Sequence, residues 1–393
     1  MTQSGNSTTH LPVCINANVC GGCIYQGVPY AQQLDYKKTE IQKLLREAGM
    51  DPFLATEIEP SPCIYRYRNK MEYTFGNEQK DGPLSLGLHK SRSFMSIVHA
   101  GDCQLVPEAF NVIVKAVHAF CVDQGYSFYH KKRHEGLLRN LIVRKGARTD
   151  ELMVNIVTTS QHTLDSDAFK NVVLTLPLSE KVVSLLHTVN DGVADAVKPD
   201  KVNILYGRDY YVERLLGLEF NVGAFSFFQT NVEAVERMFS GAISQISDIE
   251  GKTVWDLYSG TGTIALTMAG AAKQVVGVEL SEQSVEMAKE GAYRNQLNHC
   301  TFIQGDVLRV CDELYPLPDI IVVDPPRAGI HPKLLSNIAA IQAPQFLYIS
   351  CNPKTMIRDL LTMIESGYRL RQFRLHDNFP FTKHIEATAL LAR

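Results

Sequence analysis

The sequence predicts an α/β protein: a doubly wound parallel sheet in its C-terminal part and a smaller α+β region before it. Three observations carry this. From Lys252 onward, short apolar runs alternate with stretches of helical apolar spacing, the pattern of a parallel sheet covered by helices. Acids or a cysteine stand at the ends of successive runs (Glu279, Asp306, Asp324, Cys351), where open α/β sheets place their sites. Before Lys252 the hydrophobicity alternates with a period of two and is broken by Gly76, Gly82-Pro83 and Gly87, which suits antiparallel strands. The change of character puts a boundary near residue 222, dividing the chain into 1–222 and 223–393.

Composition agrees. A chain of 393 residues expects two domains, and 45% hydrophobic with 21% charged residues is that of a soluble protein with true cores. No run of about 18 apolar residues offers a membrane span, and residues 1–10 are too polar for a secretory signal. Nine cysteines, odd in number and unevenly spaced, argue against a secreted disulfide framework, so a cytoplasmic location is expected. With net charge −3, any grip on nucleic acid must come from a local patch.

Cys14, Cys20 and Cys23 come first, the last two separated by Gly21-Gly22. Thiolates are soft ligands, and glycines let a backbone wrap a metal. A fourth ligand is required, with Cys63 and Cys103 as candidates, and the spacing leaves zinc and iron–sulfur equally open. Residues 30–48 predict a helix stopped by Gly49 and Asp51-Pro52; Leu34, Ile41, Leu44, Leu45 and Ala48 give it an apolar face and no chemical role. A small antiparallel sheet follows over 66–100, punctuated by Arg66, Arg68, Lys70, Lys90 and Arg92. Between Lys131 and Arg148 lie seven Lys or Arg against one acid, Glu135, with Tyr126, Phe128 and Tyr129 just before. That reads as a phosphate-facing patch, a solvated strand face being the competing reading. Residues 220–231, FNVGAFSFFQTN, set four phenylalanines, read as core, and Gln229 before a helix capped by Thr230 or Asn231.

The first strand of the parallel sheet, 253–257, runs into Tyr258-Ser259-Gly260-Thr261-Gly262-Thr263, a tight glycine turn. Glu279 ends the second strand, where an acid holds ribose hydroxyls in nucleotide-type folds. Asp306 follows the third, Asp324-Pro325-Pro326-Arg327 the fourth, and Cys351 the fifth. The turn lacks the GxGxxG cradle for a pyrophosphate, which favours S-adenosylmethionine over a dinucleotide. Cys351 sits between an apolar run and the turn Asn352-Pro353; at an ordinary pKa near 8.5 only about 3% of it would be thiolate at pH 7, so attack needs local activation. A buried structural cysteine is the alternative.

Together the segments CINANVCGGC, FFQTN, DLYSGTG, DPPRAG, SCNPKT and HIEATALL resemble the RNA uracil-C5 methyltransferases, the RumA/TrmA family of 23S rRNA and tRNA enzymes, over most of the chain. The resemblance implies a Rossmann-like S-adenosylmethionine-dependent catalytic domain and a central domain carrying a [4Fe–4S] cluster on Cys14, Cys20, Cys23 and Cys103. It implies a cofactor site of Gln229, Tyr258, Thr263, Glu279, Asp306 and Asp324, Cys351 as nucleophile and Glu386 as base. Residues 26–58 are expected to pack on the catalytic domain. Many members begin with a small β-barrel (TRAM) domain; 13 residues precede Cys14, so that barrel is expected to be missing and RNA grip to rest on the central domain. The implied substrate is 23S rRNA, with tRNA the alternative, and no protein partner is required. Two rival readings stand beside it: an amino-group methylase using Asp324-Pro325-Pro326 without a cysteine, and a non-catalytic RNA-binding or folding factor.

Overall fold

The computed structural model describes residues 11–194 and 199–393. Its N-terminal elements are α1 (Tyr30–Glu47), β1 (Ile58–Glu59), β2 (Lys70–Gly76), β3 (Ser85–His89), β4 (Ile97–His99), α2 (Glu108–Asp123), β5 (Leu138–Lys145), β6 (Glu151–Thr158), α3 (Ser166–Leu174), β7 (Lys181–Val189), β8 (Lys201–Gly207), β9 (Tyr210–Leu215) and β10 (Leu218–Gly223). Strands β2 to β8 form a seven-stranded sheet in the order β4-β3-β2-β5-β6-β7-β8, antiparallel except where α3 crosses over between β6 and β7. Helices α2 and α3 cover one face, burying Phe110, Val114, Val117 and Phe169 against Tyr73, Leu141 and Ile156.

The C-terminal elements are α4 (Val232–Ile243), β11 (Thr253–Leu257), α5 (Thr263–Ala269), β12 (Gln274–Glu279), α6 (Glu282–Arg294), β13 (Cys300–Gln304), α7 (Val307–Val310), β14 (Ile320–Val323), α8 (Pro332–Ile341), β15 (Gln345–Ser350), α9 (Pro353–Glu365), β16 (Arg369–His376) and β17 (Glu386–Ala392). Among the described residues they build an eight-stranded sheet ordered β1-β16-β17-β15-β14-β11-β12-β13. The order reverses between β11 and β14, the switch point at which such sheets bind ligands. Strands β11 and β14 are buried at every residue, because helices cover both faces. Alternation sends Trp255, Ile321 and Phe346 to the face under α8 and α9, and Val254, Ile320 and Leu347 to the face under α4, α5 and α6. No described helix is long and apolar enough to cross a membrane.

The segment 26–58 enters this second sheet. β1 pairs in parallel with β16, Ile58 opposite Leu375, and Ile41, Leu45 and Ala55 share a core with Trp255 and Phe346. The expected apolar face of α1 packs on this core through Leu34, Ile41, Leu44, Leu45 and Ala48, and α1 also buries two polar residues, Gln33 and Lys37.

The basic run 131–148 needs correction as a phosphate-facing patch from Arg139 onward. β5 is a central strand with residues 138–144 buried, which turns its cations inward. Arg139 donates to the carbonyls of Asn190 and Ala194 at 3.0 and 2.8 Å, and Arg144 to that of Ser226 at 2.5 Å. Lys145 pairs with Asp150 and Glu180, and Arg148 with Glu233 and Glu236. These charges hold the protein together. Of the four phenylalanines in 220–231, Phe220 and Phe228 are core and Phe225 partly buried, whereas Phe227 is 68% exposed.

Candidate active site

Strands β15 and β17 run antiparallel in a register that pairs Ser350 with Ala387. One step further, Cys351 leaves the end of β15 opposite Glu386, the first residue of β17. On the other side of β15, β14 delivers Asp324 one residue past Val323. Three functional groups that are far apart in sequence therefore meet at one edge.

Their fields interact. Glu386 is 8% exposed; burial first, then Asp324, pushes its carboxyl up to about 8, with the Arg327 guanidinium opposing. Burial pushes Asp324 up to about 7. Burial, Glu386 and Asp324 hold the Cys351 thiol above its ordinary value, and Arg327 again opposes them. The resting site therefore stores protons. At pH 7 a carboxyl titrating at 8 is about one-tenth ionised.

The loop 324–330 is fixed from α9. Asn352 donates its amide to the Arg327 carbonyl at 2.7 Å, and Arg358 donates to that of Ala328 at 3.2 Å. Buried Asp359 accepts from the Ile330 N–H and the Tyr348 hydroxyl. Gly329, at φ +80°, lies so close that a Cβ would stand 2.7 Å from Asp359 Oδ2. Only glycine meets both demands. Arg327 donates to His384 Nδ1 at 3.0 Å, which fits a neutral imidazole, since burial and then Arg327 lower its pKa.

The cofactor half lies along the same strand ends. Glu279 accepts the Gly260 N–H at 3.1 Å and the Ser281 N–H at 2.8 Å, tying the glycine turn to α6. Gly262, at φ +79°, has no room for a Cβ, which would meet Ala288 and Phe302 at 2.9 and 3.0 Å. Asp306 caps α7 through the Leu308 N–H, and burial, then Asp306, raises the Tyr258 phenol to about 12. Thr263 opens α5, its hydroxyl 3.3 Å from that of Thr261. Gln229 is held through its main chain, its carbonyl accepting from Asn69 at 3.0 Å.

Asp256, in β11 just before the glycine turn, is fully buried. It accepts the Ala265 N–H through Oδ2 at 2.9 Å, while its buried Oδ1 has no partner among the described residues. Burial, Asp324 and Glu279 push it up to about 7. An acidic switch point with an orphaned carboxylate oxygen suits a cationic ligand, and S-adenosylmethionine is one. Asp324 joins the two halves, because its charge is felt by Asp256, by Glu386 and by Cys351.

Cys14, Cys20, Cys23 and Cys103 line one cavity of about 230 Å³, with Gln26, Arg68, Met71 and Leu88 also on its walls. Burial raises the thiols of Cys23 and Cys103 to about 12 and 11. Among the described residues no three metal-ligating side chains stand close enough for a single ion. Cys63 lies elsewhere, its thiol bonded to Glu233 at 3.2 Å.

Sequence reasoning missed the supports of residues 377–384, the segment leading into Glu386. Lys37 Nζ lies 2.6 Å from Asp377 in a buried ion pair and also donates to the Phe379 carbonyl. Gln33 accepts the Phe381 N–H at 2.9 Å, the Tyr67 hydroxyl donates to Pro380, and Asn231 donates to Asn378. Ile24 and Tyr25, just after the cysteine triplet, donate their N–H groups to the Phe381 carbonyl at 2.9 and 3.1 Å. Phe381 itself adopts φ +65°, which a bulky residue keeps only when its surroundings hold it there.

Comparison with known proteins shows similarity to RNA methyltransferases. The tRNA (uracil-5-)-methyltransferase family profile matches residues 313–393, and the methyltransferase small domain profile matches 225–347. A protein of Clostridium tetani described as an uncharacterized RNA methyltransferase is 43% identical over 95% of this chain and 82% of its own length. One of Caldanaerobacter subterraneus, described likewise, is 43% identical over 97% and 84%. The tRNA (uracil-54, C5)-methyltransferase of Pyrococcus abyssi, solved with S-adenosyl-L-homocysteine, superposes with a TM-score of 0.79 at 28% identity, covering 95% of this chain and 86% of that one.

Proposed function

The chain belongs to the RNA uracil-5-methyltransferase family, and from that premise we propose that Cys351 and Glu386 methylate C5 of a uridine in 23S rRNA. The enzyme is an S-adenosylmethionine-dependent RNA methyltransferase. The observation that carries the proposed division of labour is the facing of Cys351 and Glu386 across β15 and β17.

C5 of uracil is too weak a nucleophile to take a methyl group unaided. Addition of the Cys351 thiolate to C6 forms an S–C6 bond and moves the electron pair onto C5 and O4. S-adenosylmethionine supplies the electrophilic methyl. When bound, it would give that methyl to the activated C5 and leave as S-adenosylhomocysteine. Glu386 then removes the C5 proton, the C5–C6 double bond re-forms, and the thiolate leaves. A carboxyl titrating near 8 is well matched to accept a proton at neutral pH. The base must leave its stack to lie between the two groups. Arg327, the cation that opposes the upward shifts of Glu386 and Cys351, is suited to steady charge as it develops on the uracil.

Asp324 and Asp256 would neutralise the cofactor's cationic groups, Glu279 would hold its ribose, and Tyr258, Thr263, Asp306 and Gln229 would complete its walls. Cys14, Cys20, Cys23 and Cys103 would hold a [4Fe–4S] cluster. Four thiols around one cavity of about 230 Å³ supply the soft ligand set that such a centre needs. The cluster would supply a cross-link between the cysteine triplet and residue 103.

Ribosomal RNA is preferred because the cluster-bearing branch of the family is rich in rRNA enzymes; the likeness to the archaeal tRNA enzyme favours tRNA as a second reading. Mass spectrometry of nuclease-digested rRNA and tRNA, from cells with and without this protein, distinguishes them. Loss of one 5-methyluridine from 23S rRNA is expected, loss from tRNA supports the second reading, and loss from neither refutes both.

A further inference from the structure

We propose that the tip of the β3–β4 hairpin and the turn at residues 130–134 form one surface that grips an unpaired stretch of the RNA outside the reaction pocket. The inference rests on the RNA-methylating reading for the identity of the polymer.

Phe94 stands at the hairpin tip, 65% exposed, with Met95 beside it. A lone exposed phenylalanine carries little meaning, but this ring is held in place. His89 stacks on it at 6.0 Å with an interplanar angle of 17°, and Lys131 Nζ lies 4.3 Å from its centroid. That cation–π contact joins the two loops. At an exposed site it is weaker than the stacking of a nucleobase on the same ring, so a base can displace the flexible lysine toward a phosphate.

Besides Lys131, the two loops carry Lys90, Arg92, Lys132 and Arg133; their one acid is Glu135, and Lys90 is paired with Glu78 of the neighbouring β2–β3 loop. The turn is rigid. His130 Nδ1 accepts the N–H groups of Lys132 and Arg133, its ring stacks on Phe128 at 6.2 Å, and the Tyr129 hydroxyl meets His134 at 2.9 Å. Farther along the run, Arg139 and Arg144 are buried and Arg148, though exposed, is paired with Glu233 and Glu236, whereas Lys132 and Arg133 of the turn are exposed.

Cations around a flat aromatic are the elements of single-strand recognition, phosphates meeting charge and bases meeting the ring. An unpaired strand also matches the reaction, which requires an unstacked uridine. The surface is fastened to the cysteine segment, since Gly21 donates to the His89 carbonyl at 2.9 Å and Ser91 to that of Val19 at 2.7 Å. That segment in turn holds Phe381, so the surface and the active site share one scaffold.

The test measures binding of single-stranded oligouridylate to the full-length protein by fluorescence anisotropy over a range of salt. Replacing Lys131, Lys132 and Arg133 together by glutamine should lower the slope of log K against log salt by about two. Phe94→Ala should weaken binding about tenfold and leave that slope unchanged. S-adenosylhomocysteine affinity should stay constant in both, showing an intact catalytic domain. Wild-type affinity and slope in both variants, with wild-type protein binding oligouridylate normally, would overturn the proposal. A preference for duplex RNA with no effect of Phe94→Ala would also overturn it. Wild-type protein that binds no RNA would instead remove the reading on which it rests.

Discussion

Replacing Glu386 by glutamine keeps the side chain's size and removes both its charge and its basicity. The structure fixes the sign of the stability change. The folded protein holds the Glu386 proton up to pH of about 8, against an ordinary value of 4.5, so it binds that proton more tightly than the unfolded chain. Ionisation therefore works against the fold, and this contribution to stability, complete below pH 4.5, is lost as pH rises toward 8. At 1.36 kcal/mol per unit, the penalty on wild-type protein is about 1 kcal/mol at pH 5 and about 4 kcal/mol at pH 8. Glutamine does not titrate. Whatever fixed cost its amide carries, the variant should gain about 3 kcal/mol on wild type between these pH values, read from urea melts at each. The same variant should still add Cys351 to C6 and transfer the methyl, but it cannot remove the C5 proton. A denaturation-resistant protein–RNA complex carrying one labelled methyl should accumulate in a single turnover. A variant equally destabilised at both pH values, turning over without a trapped complex, would show Glu386 to be a structural carboxylate and refute this reasoning.

Two further outcomes are expected. Cys351→Ala should abolish methylation and, combined with Glu386→Gln, abolish the trapped complex on denaturing gels; residual methylation would favour an amino-group mechanism that needs no thiol. Anaerobically purified protein should be brown and contain iron and sulfide, and Cys103→Ser should bleach it while Cys63→Ser does not; equimolar zinc in place of iron would refute the cluster.

Much of the catalytic half was legible because its strands obey a simple rule. Ile320 to Val323 and Val254 to Leu257 are buried on both faces and read as continuous apolar runs, so their ends, and the acids there, could be counted off. The opposition of Cys351 and Glu386 was not legible. It depends on β17 returning antiparallel between β15 and β16, a long-range pairing that no local pattern encodes. Lys37 was hidden for a related reason. A lysine one turn before Ile41 reads as solvated, and its partner Asp377 is 340 residues away. The cations of β5 misled in the opposite sense, because Arg139 and Arg144 bond carbonyls of distant loops that sequence cannot bring near.

Long-range backbone bonds also tie the cysteine segment to the catalytic half, so the proposed cluster would act by position without moving electrons, which transfer of a methyl from a sulfonium does not require. The cysteine segment has little core of its own: Val13, Ile15 and Ile24 are all more than half exposed. It is nevertheless the segment whose N–H groups hold the Phe381 carbonyl. The Phe381 ring lies in a small apolar cluster with Tyr67 and Leu105, against which Cys23 and Cys103 also pack. A cross-link among the four thiols would therefore stiffen both supports of Phe381 at once, its carbonyl and its ring. Five residues further along the chain stands Glu386. A base that must reach one face of a flipped uracil while Cys351 occupies C6 tolerates little displacement, since proton transfer demands hydrogen-bond distance. From α1 the buried pair of Lys37 and Asp377 holds the start of the same segment, and removing one member of such a pair costs about 3–5 kcal/mol. The cysteine segment and α1 converge on residues 377–381, and their shared consequence is the position of one carboxylate.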